Sequence, residues 1–229
     1  MSETSGTLVR PTQLFPLTRH LSYCLTPLLA RTALTPNQIT AMSMAAGLGG
    51  AWCFTKGLWW WSVAGGLLLV LCYTLDNCDG EIARLKKMSS EWGAHFDDLV
   101  DWAVDSAFFA ALGYGTWAAT GNVIWFWLGL AATFGATADY VVDLVFHARA
   151  RRDPERETRE EETAAERRPE TWIDWLIYTF HKLSRADFCI IVLALALFDI
   201  AWLLLPAAAV GAQVYWLIDL YKHMRGRPP

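Results

Sequence analysis

The sequence predicts an all-α integral membrane protein with six transmembrane helices and an N-terminal amphipathic juxtamembrane helix. Three observations carry this. Hydrophobic residues fill 54% of 229 positions and 13 residues are Trp, too apolar for an ordinary soluble domain and rich in the side chain that favours bilayer interfaces. Runs long enough to cross a bilayer as helices, about 20 residues each, recur at 38–55, 58–82, 94–118, 122–147, 186–203 and 204–222. Basic residues gather on one side of those runs. The mean hydropathy of +0.24 is modest because a charged stretch, 149–170, lowers the average. The net charge of -4 says little when charge is so segregated.

In chain order, residues 1–34 form a tail and the juxtamembrane helix. The tail, "MSETSGTLVRPTQLF", lacks a basic-then-apolar pattern, which predicts no cleaved targeting peptide. "LFPLTRHLSYCLTPLLART" alternates Leu with Arg19, His20 and Arg31. It reads either as a helix on the membrane surface or as one packed on the bundle. "TPNQIT" then starts span one, with Thr35 as N-cap, Pro36 in the first turn and Gln38 completing a capping box. Residues 35–222 form the membrane domain and 223–229 a tail.

The loops after spans two and four, with both termini, hold Arg10, Arg19, Arg31, Arg84, Lys86, Lys87, the Arg-rich 149–168 stretch, Lys182, Arg185, Lys222, Arg225 and Arg227. The other side holds only Lys56. This places both termini in the cytoplasm. The segment "RARRDPERETREEETAAERRPE" reads as a solvated connector, and "TWIDWLIYTFHKL" as a second interfacial helix. The five cysteines show no CxxC spacing, and Cys78 has no second soft ligand near it.

The chemistry lies in "LDNCDGEIARL", at the cytoplasmic end of span two, and in the start of span three. Asp76 and Asp79 are three apart, Asp97 and Asp101 four apart, so each pair shares one helix face. A short basic turn lets the pairs face each other. Four clustered carboxylates take up protons unless cations neutralise them, and hard divalent cations do this while keeping positions for phosphate oxygens. Gly80 and Gly93 flank the cluster and suggest close approach of a ligand to backbone, against the alternative of tight helix packing. Ala83 keeps the face small, and Arg84 supplies a charge suited to phosphate. Asp101 reads as the deepest of the four acids in the membrane, which suits a group that takes up a proton.

Asp76-x-x-Asp79-Gly80-x-x-Ala83-Arg84, eight residues, Gly93, three residues, Asp97, three residues, Asp101 resembles the signature of the CDP-alcohol phosphotransferases at every fixed position. The resemblance extends over roughly residues 17–222, apart from the connector. It implies transfer of a substituted phosphate from a CDP-linked donor to an alcohol, with release of CMP. It implies that Asp76, Asp79 and Asp97 hold one or two Mg²⁺ (or Mn²⁺) ions, and that Asp101 is the base and a further metal contact. It places Asp79, Gly80, Ala83, Arg84 and Gly93 around the nucleotide. Asn37 and Thr40 resemble a family element near the same nucleotide. Lys182, Arg185 and Asp187 stand where relatives hold the acceptor; for Arg185, anchoring of span five is an equal alternative. A homodimer in a prokaryotic plasma membrane, with a cytoplasmic active site and no nucleic-acid partner, completes what the resemblance implies.

The donor reads as CDP-diacylglycerol, with CDP-inositol as the alternative, because "TPNQIT" and "DGEIARLK" look similar to that branch too. A prenyltransferase needs two separate Asp-rich motifs. A divalent-cation transporter needs polar residues in the outer half of the spans, which are lacking. Asp105, Asp139 and Asp143 read equally as functional acids and as partners of Arg149, Lys182 or Arg185. His95 falls on another helix face from Asp97.

Overall fold

The structure, a computed structural model, describes residues 16–150 and 187–224. These are helical throughout: α1 (Leu17–Ala30), α2 (Pro36–Phe54), α3 (Trp59–Leu85), α4 (Glu91–Thr120), α5 (Ile124–Ala150), α6 (Phe188–Leu197), a 3₁₀ turn at Ala201–Leu203, and α7 (Leu204–Met224). The tails, most of the charged connector and the segment read as a second interfacial helix lie outside the described residues.

Local chemistry sets the boundaries. The Thr35 capping box forms as expected: Gln38 N donates to Thr35 Oγ1 at 3.4 Å and Thr35 N to Gln38 Oε1 at 3.0 Å. Ser90 caps α4 by accepting from Gly93 N at 3.0 Å. Helix α3 runs three residues past the predicted end and closes with Lys87 at φ 54. There Met88 N donates to Ala83 O and Lys87 N to Arg84 O, the paired bonds of a left-handed helix stop.

The predicted fifth span, 186–203, is not one helix. It breaks after Leu197, where Asp199 sits at φ 59, Ile200 N donates to Leu195 O and Asp199 N to Ala196 O. Asp is one of the few residues that tolerates this conformation, so the apolar run that starts at Phe188 is interrupted at Asp199. Among the described residues, α3 alone is long and apolar enough to cross a membrane by length and composition. Helix α6, with 10 residues, is too short to reach that mark.

Helix α3 packs against α2, α6 and α1, and α4 against α2 and α5, with α7 on α5. The core between them is built from Ala51, Phe54, Leu69, Val100, Val104, Phe108 and Val192. Glycines let backbones meet: a Cβ on Gly65 would lie 2.8 Å from Gly50 O, and one on Gly113 would lie 2.8 Å from Gly129 Cα. Large apolar side chains also cover the outside, among them Trp60, Leu67, Trp127, Phe134 and Phe198. Four tryptophans, Trp52 and Trp59–Trp61, cluster at the end of α2 and start of α3, with Lys56 Nζ 4.1 Å from the Trp52 ring centre. The acids stand at the other end of α3.

Helix α1 reverses the usual pattern. Thr18, Ser22 and Thr26, spaced by four, are its buried residues, while Leu21 and Leu28 face outward. Ser22 and Thr26 donate to the two oxygens of Glu81 on α3, at 2.8 and 2.6 Å. Leu25 and Leu29 pack on Ile39, Leu75, Cys78 and Ile82. The helix packs on the bundle through α3 and leaves an apolar face outward, where a membrane surface would meet it.

Candidate active site

Carboxylate oxygens of Asp76, Asp79 and Asp97 lie within 4.8 Å of one another. The first two descend from adjacent turns of α3 and the third from the first turns of α4, so the short 86–90 loop brings them together. Asp79 is buried, and Asp76 and Asp97 are half-buried. Thr40 Oγ1 donates to Asp79 Oδ2. One oxygen each of Asp76 and Asp97 is buried without a hydrogen-bond partner. Buried, unsatisfied carboxylate oxygens at this spacing are costly alone and fit a hard divalent cation. The cluster is all carboxylate: Cys78 is buried beside Ser22 O, and His95 is exposed and outside it.

Asp101 is outside this trio and more exposed than its three neighbours, against the expectation that it is the most desolvated. It is further along α4, but it opens onto a cavity of about 270 Å³ instead of a helix seam. The cavity is lined by Cys72, Tyr73, Asp76 and Asn77 of α3, by Asp101, Val104 and Asp105 of α4, and by Pro16 and Arg19 at the start of α1. Tyr73 donates to Asp105 Oδ1 at 3.4 Å, which ties α3 to α4 beside the cavity; Lys182, Arg185 and the side chain of Arg149, the basic partners expected for it, lie outside the described residues.

The residues expected around a nucleotide divide in two. Gly80, Ala83, Arg84 and Gly93 stand beside the trio, and a Cβ on Gly93 would lie 3.1 Å from Asn37 Oδ1, which brings the N-terminus of α2 to that of α4. A Cβ on Gly80 would meet only the Arg84 guanidinium, 3.5 Å away, among the described residues. Helix packing therefore does not account for Gly80, and the space beside it remains open. Thr40 is buried and directed at Asp79, behind the trio. Its structural part is to hold a carboxylate.

Of the residues expected at the acceptor, Lys182 and Arg185 lie outside the described residues. Asp187 has a different part from the one expected. It is fully buried, and its oxygens accept from Leu17 N at 2.6 Å, Thr18 N at 2.9 Å and Thr18 Oγ1 at 3.0 Å. It caps α1 from 170 residues away, so its carboxylate is not presented to a ligand. Sequence reasoning missed Arg19 as a cavity residue. The signal was the Thr18-Ser22-Thr26 stripe, which turns inward and fixes where Arg19 falls. Asp139 is exposed on α5, and the side chain of Asp143 lies outside the described residues.

Comparison with known proteins bears on the family and the fold. The family model for CDP-alcohol phosphatidyltransferases matches residues 33–215. The bifunctional IPC transferase and DIPP synthase of Thermococcus kodakarensis is 32% identical over 120 residues, 52% of this chain and 26% of that protein. The phosphatidylinositol phosphate synthase of Cutibacterium acnes is 34% identical over 116 residues, 49% of this chain and 54% of that protein. The chain thus spans about a quarter of the first and about half of the second. The crystal structure of Mycobacterium tuberculosis phosphatidylinositol phosphate synthase with CDP-DAG bound superposes with a TM-score of 0.54 at 22% identity, covering 89% of this chain and 94% of that one. That likeness extends the fold to nearly the whole chain. With the signature complete, its acids assembled and most of the chain matched, the protein belongs to the CDP-alcohol phosphatidyltransferase family.

Proposed function

We propose that this protein transfers a substituted phosphate from a CDP-linked donor, CDP-diacylglycerol in the first instance, to a hydroxyl of a polar alcohol, releasing CMP. The observation that carries the reading is the carboxylate trio with its two unsatisfied oxygens. Asp76, Asp79 and Asp97 would hold Mg²⁺ or Mn²⁺, with Asp101 as a further contact. A cation bound there neutralises the donor pyrophosphate and stabilises the leaving CMP.

The chain's own residues do the rest. Gly80 leaves room for the donor against α3, and Arg84 beside it meets phosphate charge. Asn37 and Gly93 border the same space. Asp101, open to the cavity, accepts the proton of the acceptor hydroxyl. The hydroxyl oxygen then bonds to the donor phosphorus as the bond to CMP breaks. Asp101 carries this role by the family resemblance and by its place on the cavity, not by depth of burial.

The curated phosphatidylinositol phosphate synthases among the relatives support an inositol phosphate acceptor. CDP-inositol is the alternative donor. The outward apolar side chains support placement in a bilayer, and the basic residues gathered on one side support a site at the cytoplasmic face; the homodimer rests on the family resemblance. The test is CMP release from CDP-diacylglycerol by the purified protein, with and without Mg²⁺, against a panel of labelled alcohols. Failure of every acceptor with both donors would sink the reading.

A further inference from the structure

We propose that Arg19 is an anion anchor of the acceptor pocket, and that Asp187 is the positioning residue that sets it there. This rests on the transferase reading above and adds residues to it. Among the described residues that line the cavity, Arg19 is the only basic one, and it shares the wall with Asp76, Asp101 and Asp105. A pocket lined by acids repels a phosphorylated alcohol unless a cation offsets them. A guanidinium does so and also offers a planar fork that matches phosphate.

Arg19 is not held by an apolar seam of its own. Its place follows from α1, whose first turn is fixed by three bonds to Asp187 and whose next turns are fixed by the bonds from Ser22 and Thr26 to Glu81. Arg19 comes one residue after Thr18, which Asp187 grips through both N–H and hydroxyl. Thr18 points inward and Arg19 is exposed to the cavity side. The acceptor phosphate would rest on Arg19 while a hydroxyl of the same molecule faces Asp101. The ligand class is a small alcohol bearing a phosphomonoester.

The test compares initial rates with inositol phosphate and with unphosphorylated inositol, at saturating CDP donor and Mg²⁺. Arg19→Ala should raise the KM for inositol phosphate about 10- to 100-fold, the loss of a charge-assisted contact, and leave the KM of the CDP donor within twofold. Any rate with unphosphorylated inositol should be unchanged. Arg19→Lys should recover part of the loss. Asp187→Ala should reproduce the acceptor effect, and Asp187→Asn, which keeps one accepting oxygen for Thr18 but loses the one that serves Leu17 N, should recover part of the loss. An unchanged acceptor KM in Arg19→Ala overturns the proposal. So does an equal rise in donor KM, which would mean that Arg19 only neutralises the acids. Calorimetric binding of inositol phosphate to the same purified variants separates this from the transferase reading. Arg19-dependent binding without CMP release would sink the transferase reading alone. Arg19-independent binding would sink the anchor alone.

Discussion

The hydroxyl of Thr40 donates to Asp79 Oδ2, and through that bond the N-terminal turns of α2 and the carboxylate trio form one hydrogen-bonded unit. The same hydroxyl lies 3.1 Å from Pro36 O, in the turn that the Thr35 capping box starts. On the reading proposed above, Thr40 would orient Asp79 as a metal ligand from one step behind the site. Removing such outer partners typically costs about 10- to 100-fold in metal affinity. Thr40→Val is expected to raise the Mg²⁺ concentration for half-maximal CMP release within that range, and Thr40→Ser to restore it. An unchanged Mg²⁺ titration in Thr40→Val would show that Asp79 needs no such support.

Asp101→Asn is expected to bind CDP donor as the parent does and to lose turnover by about 10²- to 10⁴-fold, the usual reach of a general base. Donor binding is read by calorimetry and turnover by CMP release. Transfer at a near-normal rate would assign proton removal elsewhere on the cavity wall, with Asp105 the next group to test.

Two glycine substitutions are expected to fail in opposite ways. Gly80→Ala puts its methyl into space bordered by Arg84, so the protein should fold at least as well, helped by up to about 1 kcal/mol of helix preference. Its donor KM should rise. Gly65→Ala drives a methyl to within 2.8 Å of the Gly50 carbonyl and should cost roughly 1–3 kcal/mol as overpacking. Thermal unfolding in parallel with donor kinetics tells the two apart. A destabilised Gly80→Ala with normal donor KM would return Gly80 to a packing role.

Lys87→Gly is expected to stabilise the protein by about 1 kcal/mol, since Lys holds a left-handed position that glycine adopts without penalty. Activity should be unchanged. A lower melting temperature would mean that the Lys87 side chain contributes more than its backbone costs.

The parts of the structure that the sequence announces are those set by neighbouring residues. "TPNQIT" contains a complete helix start, and the acids, at three- and four-residue spacing, converge once a short loop folds the chain back. The parts it conceals depend on distant residues. Thr18, Ser22 and Thr26 look like a polar surface until Glu81 and Asp187 are known to lie beneath them. Asp187 looks like a residue at the mouth of a site because its partners, the amides of Leu17 and Thr18, are 170 and 169 positions away. The order in which acids meet the membrane ranks Asp101 as deepest, yet the cavity beside it leaves Asp101 the most exposed of the four. The break at Asp199 is in plain view, but an apolar run conceals how readily one carboxylate ends it.

The reversed packing of α1 has a practical consequence for handling the protein. A helix held largely by hydroxyl–carboxylate bonds keeps its grip where water is kept out, because such bonds weaken as water competes for them. Short-chain detergents that let water reach Glu81 would loosen α1 first, while the apolar core of α2–α4 stays intact. Preparations in lipid nanodiscs and in small micelles would then share a melting curve yet differ in activity. Proteolytic nicking of the 31–35 loop would report which state a sample is in.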